Sequence, residues 1–371
     1  MSAPPTPTGE TIVYLDSNYH PLPSNFFPAP HTYTAYPHTP LPQIAPRILP
    51  ATILLTSLCP LTRETLSLLP PSQLKLIIIT SVGTNHVDLA YCAEKNIQVS
   101  NMPDTNTDTV AEHALALYFA VNRDVVSMHE WTMKAERWAS QGTGILGMNT
   151  WEGGGARSCR SEVVGILLRS AKQEFLNRYI ESREGGDNAA KLDVDLICWV
   201  DIWNRSLAIS NLCTALGMKV LISERKSIPQ VQARAGRAAF SSILTECTTI
   251  ILACPLSPET KNLIAAPELS LMRRDAILVN VARGGVVNEA DLARALDEGE
   301  ILGAATDVFE SEPVEKGGSP LVRGEGEERV RNLIVSPHVA WFGRDSQEKC
   351  VRAIAEIFEG YLKGEKVNFV V

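Results

Sequence analysis

Short apolar runs alternate with amphipathic stretches along most of this chain, the rhythm of parallel strands joined by crossover helices. TIVYLD (Thr11 to Asp16), ATILLTS (Ala51 to Ser57), LKLIIIT (Leu74 to Thr80) and IQVSN (Ile97 to Asn101) read as strands. Arg63 to Leu69 and Asp88 to Lys95 read as helices, the first stopped by Pro70 and Pro71. His20 to Pro50 breaks the rhythm: it is crowded with Pro, His and Tyr, which predicts extended surface chain. VAEHALALYFAVNR (Val110 to Arg123) then forms an apolar helix opened by the cap-type residues Thr107 and Asp108, and a second helix ends at Trp138. Glu112 and His113 inside the apolar helix read as interior hydrogen-bonding groups.

A second series of strands follows. It comprises Val163 to Leu168, Lys219 to Ser223, Thr248 to Cys254, AILVNVARGG (Ala276 to Gly285), GAATDVFESEP (Gly303 to Pro313) and NLIVSPHVAW (Asn332 to Trp341). Helices fall between them, one capped by Asn288 and stopped by Gly299, and an amphipathic helix from Ser346 to Gly364 closes the chain. The pattern predicts an α/β protein of two parallel-sheet domains with a cleft between them, in keeping with a length of 371 residues.

Composition narrows the class. A net charge of −8 argues against nucleic acid and anionic membranes as partners. No run is long enough to span a membrane, and the first ten residues lack the apolar centre of a signal peptide. The eight cysteines show neither CxxC pairs nor metal-ligand spacing, which suits reduced thiols in the cytoplasm and no metal site.

Three residues carry candidate chemistry. Arg283, Glu312 and His338 all follow the carboxyl ends of strands, the edge where open α/β sheets bind ligands. A guanidinium offers a rigid, permanently charged fork for a carboxylate or the paired oxygens of a 2-keto acid. An imidazole suits proton transfer at a carbonyl or alcohol near neutral pH. A carboxylate on its other nitrogen would orient it and favour its protonated form. In the first half, Val82 and Gly83 follow a buried strand, where glycine lets backbone N–H groups approach an anion; Asn85 is read as propping that turn.

NVARGG, ATDVFESEP and SPHVAW, together with ACPLSPETKNLI (Ala253 to Ile264) and the helix from Val110, resemble the D-2-hydroxyacid dehydrogenases, a family that includes glycerate dehydrogenases and hydroxypyruvate reductases. The resemblance runs from about Ala51 to the C-terminus. It implies a flavodoxin-like substrate domain, residues 1–135 plus 342–371, and a Rossmann-type domain, residues 136–341. It implies hydride transfer between NAD and C2 of a small 2-hydroxy or 2-keto acid, with Arg283, Glu312 and His338 catalytic. It further implies that Val82 and Gly83 hold the substrate carboxylate, that Asp307 holds the nicotinamide amide, that Cys254, Pro255 and Ala282 lie on the cofactor side, and that the apolar helix helps form a homodimer. Trp341 would wall the substrate pocket.

One motif fails. The GxGxxG turn that should follow Val163 to Leu168 is absent, and aligning back from ALGMKVL puts Asp201, Trp203 and Ser206 where its glycines belong. An Asp repels a phosphate and a Trp blocks close backbone approach. Residues 169–203 therefore read as foreign to the fold, by preference as intron sequence read as coding, otherwise as a true insertion. If they fold, LDVDLICWV (Leu192 to Val200) is apolar enough to compete for the central strand slot. Glu224 stands 18 residues beyond Ser206, where a ribose-binding acid favouring NAD belongs; Arg225 and Lys226 beside it leave NADP open. The competing reading is a non-catalytic relative on the same scaffold.

Overall fold

The computed structural model describes residues 9–28, 30–133, 156–167 and 194–371. Among them two compact units separate, residues 9–28, 30–106, 194–201 and 343–371, and residues 107–133, 156–167 and 202–342. No helix of the described residues is long and apolar enough to cross a membrane.

The first unit is built on five parallel strands: β1 (Thr11–Tyr14), β2 (Thr32–Ala35), β3 (Ile53–Thr56), β4 (Leu76–Ile79) and β5 (Gln98–Ser100). Their order, β2-β1-β3-β4-β5, is the flavodoxin-like arrangement. Every residue of β3 and β4 is buried, as continuous apolar runs require in a sheet covered on both faces. Leu54 and Ile77 pack with Ile44, Ile48, Leu66 and Cys92 of the helices α1 (Leu41–Ile48), α2 (Arg63–Leu66) and α3 (Leu89–Glu94). Ile53, Leu55, Leu76 and Ile78 pack with Cys350, Ile354 and Ile357 of the C-terminal helix Arg344–Lys363, which returns to complete this unit.

The stretch from His20 to Pro50 departs from expectation, since β2 and α1 both form within it. No proline stands within β2, whose four residues are TYTA, so its pairing with β1 is uninterrupted. Pro42 falls in the first turn of α1, where N–H groups have no intrahelical partner. Ile44 and Ile48, four residues apart, supply the buried face.

His86, in the loop after β4, is pushed down from 6.5 to about 4 by burial, and its Nε2 has no hydrogen-bond partner among the described residues. The unfolded chain therefore takes up this proton first. The contribution of His86 to stability is full well above pH 6.5, falls by at most about 1.4 kcal/mol per pH unit down to about pH 4, and is flat below. His86→Gln is expected to flatten that limb of a melting-temperature profile; an unaltered limb would remove His86 as its cause.

The second unit holds seven parallel strands: β6 (Val163–Leu167), β7 (Lys219–Ser223), β8 (Arg237–Ala238), β9 (Thr249–Leu252), β10 (Ile277–Asn280), β11 (Gly303–Thr306) and β12 (Leu333–Val335). The order β12-β11-β10-β9-β6-β7-β8 is doubly wound, and the winding reverses between β6 and β9. Such a switch point opens a crevice at the carboxyl ends of the strands. α4 (Thr107–Asn122) belongs to this unit and buries Ala114, Leu117, Tyr118 and Val121 against Val279 and Ala305 of the sheet. α5 (Val125–Met133) follows it. The further helices are α6 (Val194–Ala215), which belongs to this unit from Ile202, α7 (Phe240–Glu246), α8 (Ala266–Leu271) and α9 (Glu289–Asp297), the last capped by the Asn288 side chain.

The segment read as foreign lies outside the described residues as far as position 193. The central slot is held by β6, and the chain from Val194 is the opening of α6, not a rival strand.

Candidate active site

Three neighbouring strands deliver Arg283, Glu312 and His338. β10 ends at Asn280, whose side chain accepts the Ala282 N–H at 3.1 Å and donates to the Arg283 carbonyl at 3.2 Å, folding the turn beneath the strand end. Gly284 makes the turn possible, because a Cβ there would stand 1.7 Å from the Phe309 carbonyl oxygen. Gly285 follows at φ +76°, the left-handed region open to glycine. The half-buried Arg283 donates from Nη1 to the Ala282 carbonyl at 2.8 Å.

β11 leads to Asp307 and on to Glu312. One Glu312 oxygen accepts the Phe309 N–H at 2.7 Å, and the other meets His338 Nδ1 at 2.6 Å. The Phe309 backbone thus touches Gly284 on one side and Glu312 on the other, linking all three residues. His338 sits at φ +54°, an uncommon conformation for a residue with a Cβ. It is pinned from two directions: its N–H donates to the Asp307 carbonyl at 2.8 Å, and its carbonyl accepts the Trp341 indole N–H at 2.7 Å. With Nδ1 on Glu312, Nε2 is the nitrogen that addresses a reactant. Trp341 is therefore seen bracing His338; its expected role was as a pocket wall.

Asp307 is fully buried. Its Oδ1 accepts the Ser336 hydroxyl at 2.6 Å and the Val339 N–H at 3.0 Å, while Oδ2 accepts the Ala340 N–H at 2.9 Å. Burial works to raise its pKa, but His113, Ser336 and these backbone donors outweigh it and hold the carboxyl below its ordinary value. His113 Nε2 lies 3.0 Å from Ser336 Oγ and 3.5 Å from Asp307. The expectation for the α4 pair thus divides, His113 being bonded inside and Glu112 exposed. Ser336 was missed by sequence reasoning, although it directly precedes Pro337 and His338 in the strand-end motif.

Cys254 and Ala282 are buried in the core with Leu167 and Ile264, and burial pushes the Cys254 thiol up to about 12. They can offer a ligand only backbone. Pro255 is partly exposed, its carbonyl accepting the Thr260 hydroxyl at 2.6 Å. At the end of β7, Glu224 is bound by Arg234, whose Nε lies 2.7 Å from it. That guanidinium is the main cause holding the Glu224 carboxyl down at about 2. Nothing in the spacing marked Arg234, ten residues on. In the first unit, Val82 is buried and Gly83 half-buried after β4. Asn101 and Ser81 brace that turn, donating to the carbonyls of Val82 at 2.8 Å and Gly83 at 3.1 Å, whereas Asn85 is exposed.

A dinucleotide fits the described strand ends: the switch point, the acid and arginine at β7, and the polar edge of β10 to β12 all stand where one would lie. Asp201, Trp203 and Ser206 fall well inside α6, beyond its first two turns, so none of them is at a strand-to-helix turn. The turn itself lies outside the described residues.

Residues 206–340 match the family model described as "D-isomer specific 2-hydroxyacid dehydrogenase, NAD binding domain", beginning at the third of those glycine positions. A glycerate dehydrogenase of Methylorubrum extorquens is 31% identical over 328 residues, 88% of each chain. A hydroxypyruvate reductase of Blautia hydrogenotrophica is 26% identical over 333 residues, covering 90% of this chain and 88% of that one. Among solved structures, a D-lactate dehydrogenase of Aquifex aeolicus complexed with NAD and lactic acid superposes with a TM-score of 0.66 at 23% identity, over 97% of this chain and 99% of that one. Identity at this level along nearly the whole length places the chain in the D-isomer specific 2-hydroxyacid dehydrogenase family.

Proposed function

We propose that the chain reduces small 2-keto acids to D-2-hydroxy acids, and runs the reverse oxidation, with Arg283, Glu312 and His338 as its working residues. The observation that carries this is the 2.6 Å pair of His338 and Glu312 at the strand edge that also bears Arg283. Arg283 binds the carboxylate and carbonyl oxygens of the substrate and polarises C2. His338, oriented through Nδ1 by Glu312, gives its Nε2 proton to the carbonyl oxygen as negative charge develops there, and takes it back in the oxidation. Bound NAD(P)H supplies the hydride. Asp307, held by His113 and Ser336, is the acceptor assigned to the nicotinamide amide, and backbone at Cys254, Pro255 and Ala282 lines that side. Val82 and Gly83 are assigned to the substrate carboxylate. The missing GxGxxG turn is the sequence feature that favours the non-catalytic reading; nothing among the described residues adds to it.

Relatives named for glycerate, hydroxypyruvate and glyoxylate direct attention to two- and three-carbon acids. Glyoxylate, hydroxypyruvate, pyruvate and a branched 2-keto acid, each followed by loss of NAD(P)H absorbance, test the assignment. Turnover confined to the smallest acids supports it, and silence on all four refutes it.

The working form we propose is a cytoplasmic homodimer with no nucleic-acid or membrane partner. Glu112, Ala116 and Phe119 of α4 line an open apolar groove of about 370 Å³ with Leu212, Ala215 and Leu216. On α5, Val125, Val126 and Met128 are exposed as well. A second copy would cover such surface. Light scattering at micromolar concentration is expected to give twice the chain mass; a single chain mass would contradict the dimer.

A further inference from the structure

We propose that His20 is a positioning residue for substrate: it fixes the peptide plane at which the Val82–Gly83 turn leaves β4. This rests on the reading above, in which that turn takes the substrate carboxylate.

The turn is shaped through its carbonyls. The Met102 N–H donates to the Ser81 carbonyl at 3.2 Å, Asn101 Nδ2 to the Val82 carbonyl at 2.8 Å, and Ser81 Oγ to the Gly83 carbonyl at 3.1 Å. These peptides are trans, and in a planar trans peptide the N–H points opposite to the C=O. The N–H groups of Val82, Gly83 and Thr84 therefore each face away from a protein donor. Successive N–H groups freed in this way suit an anion such as a carboxylate.

The aim of that array depends on the peptide before it. Thr80 follows β4, and its N–H donates to the Thr56 carbonyl at 2.8 Å. Its hydroxyl meets Ser57 Oγ at 2.5 Å and the Tyr14 hydroxyl at 3.1 Å. The Thr80 carbonyl belongs to the plane that enters the turn, and His20 takes it. One ring nitrogen of His20, Nδ1, lies 2.7 Å from Gln347 Oε1 on the C-terminal helix, and the ring bonds as well to the Thr80 backbone. That second bond favours the protonated ring, as one donated to a carbonyl does. His20, Ser57 and Thr80 are buried, so bulk water does not compete for these bonds.

Either charge state of the ring can hold Thr80. The imidazolium donates to Gln347 and Thr80 together. A neutral ring keeps the proton on Thr80 and accepts at Nδ1 from Gln347 Nε2 once that amide turns over; this Nε2 is buried with no partner among the described residues in its present orientation. Burial lowers the pKa of His20, against the opposing pull of Gln347, Thr80 and the buried Asp16, so the neutral ring prevails near pH 7. A carboxylate contact is made alike in ground state and transition state. Its loss is a loss of uniform binding, which raises KM and spares kcat.

His20→Ala is expected to raise KM for hydroxypyruvate on the order of tenfold, with kcat held within about twofold. KM for NAD(P)H should not move. His20→Gln, whose amide can still donate to the Thr80 carbonyl, should recover most of the loss. Gln347→Ala, at a half-buried helix position, should raise KM by about threefold and serves if His20→Ala does not fold. A His20 that is merely structural would lower kcat or the melting temperature and leave KM alone; that result overturns the proposal. Oxamate, an unreactive isostere of pyruvate, gives the same comparison without turnover, its Kd in the presence of NAD(P)H rising in parallel. If no 2-keto acid is reduced but oxamate binding weakens in His20→Ala, the positioning stands and the oxidoreductase reading falls. If the parent reduces hydroxypyruvate and the variants share its KM, the positioning alone falls. If the parent neither reduces these acids nor binds oxamate, both fall.

Discussion

His338→Ala is expected to lower kcat by about 10²- to 10⁴-fold, because it removes the proton donor itself. Arg283→Ala should cost about 10²- to 10³-fold and raise KM as well, since the same fork binds substrate and stabilises developing charge. Arg283→Lys should restore little, as a point charge cannot engage two oxygens in one plane. Glu312→Gln should do less harm than either. It keeps an oxygen for the Phe309 N–H and loses only the charge beside His338 Nδ1. Steady-state kinetics on variants whose melting temperatures match the parent check the series. An active His338→Ala protein would remove His338 from the chemistry, whatever its geometry.

Gly284→Ala is expected to be the most damaging single-atom change near the site. The added carbon would stand 1.7 Å from the Phe309 carbonyl oxygen, a backbone atom with no rotamer to yield. Either the Arg283 turn lifts from β10 or the Phe309 strand exit moves, and the latter carries Glu312 and hence His338 with it. A loss above about 3 kcal/mol is expected, in line with forced overpacking, together with most of the activity. Gly285→Ala is the control. Its new Cβ would lie 3.6 Å from Leu256, ordinary packing distance, so only the left-handed backbone costs, about 1–2 kcal/mol. Thermal melts of the two variants decide this. Equal losses would show that close approach at Gly284 is not what fixes the turn.

What was legible in the sequence followed from period and punctuation. Continuous apolar runs such as LIII and TIIL could only be covered parallel strands, and their alternation with helices carried the two-sheet architecture. Arg283, Glu312 and His338 could be read because each stands just past such a run. Less legible was whatever depended on partners distant in sequence. Glu224 was readable as a candidate ribose acid, but its bond to Arg234 was not, since no spacing rule links the two. Asn85 looked like the brace of its turn, but Asn101, just past β5, donates to it. β2 and α1 were hidden because proline content signals irregular chain, and sequence alone does not place a strand between Pro30 and Pro37 or show that Pro42 lies in a first turn.

The most direct test of the central claim follows the hydride. The full-length chain is given NAD(P)H deuterated at the transferable C4 position together with glyoxylate's three-carbon analogue hydroxypyruvate, and the product acid is isolated. The account predicts a single deuterium on C2 and the D configuration, with no labelled product from His338→Ala. A product without deuterium at C2, or one of L configuration, would contradict it.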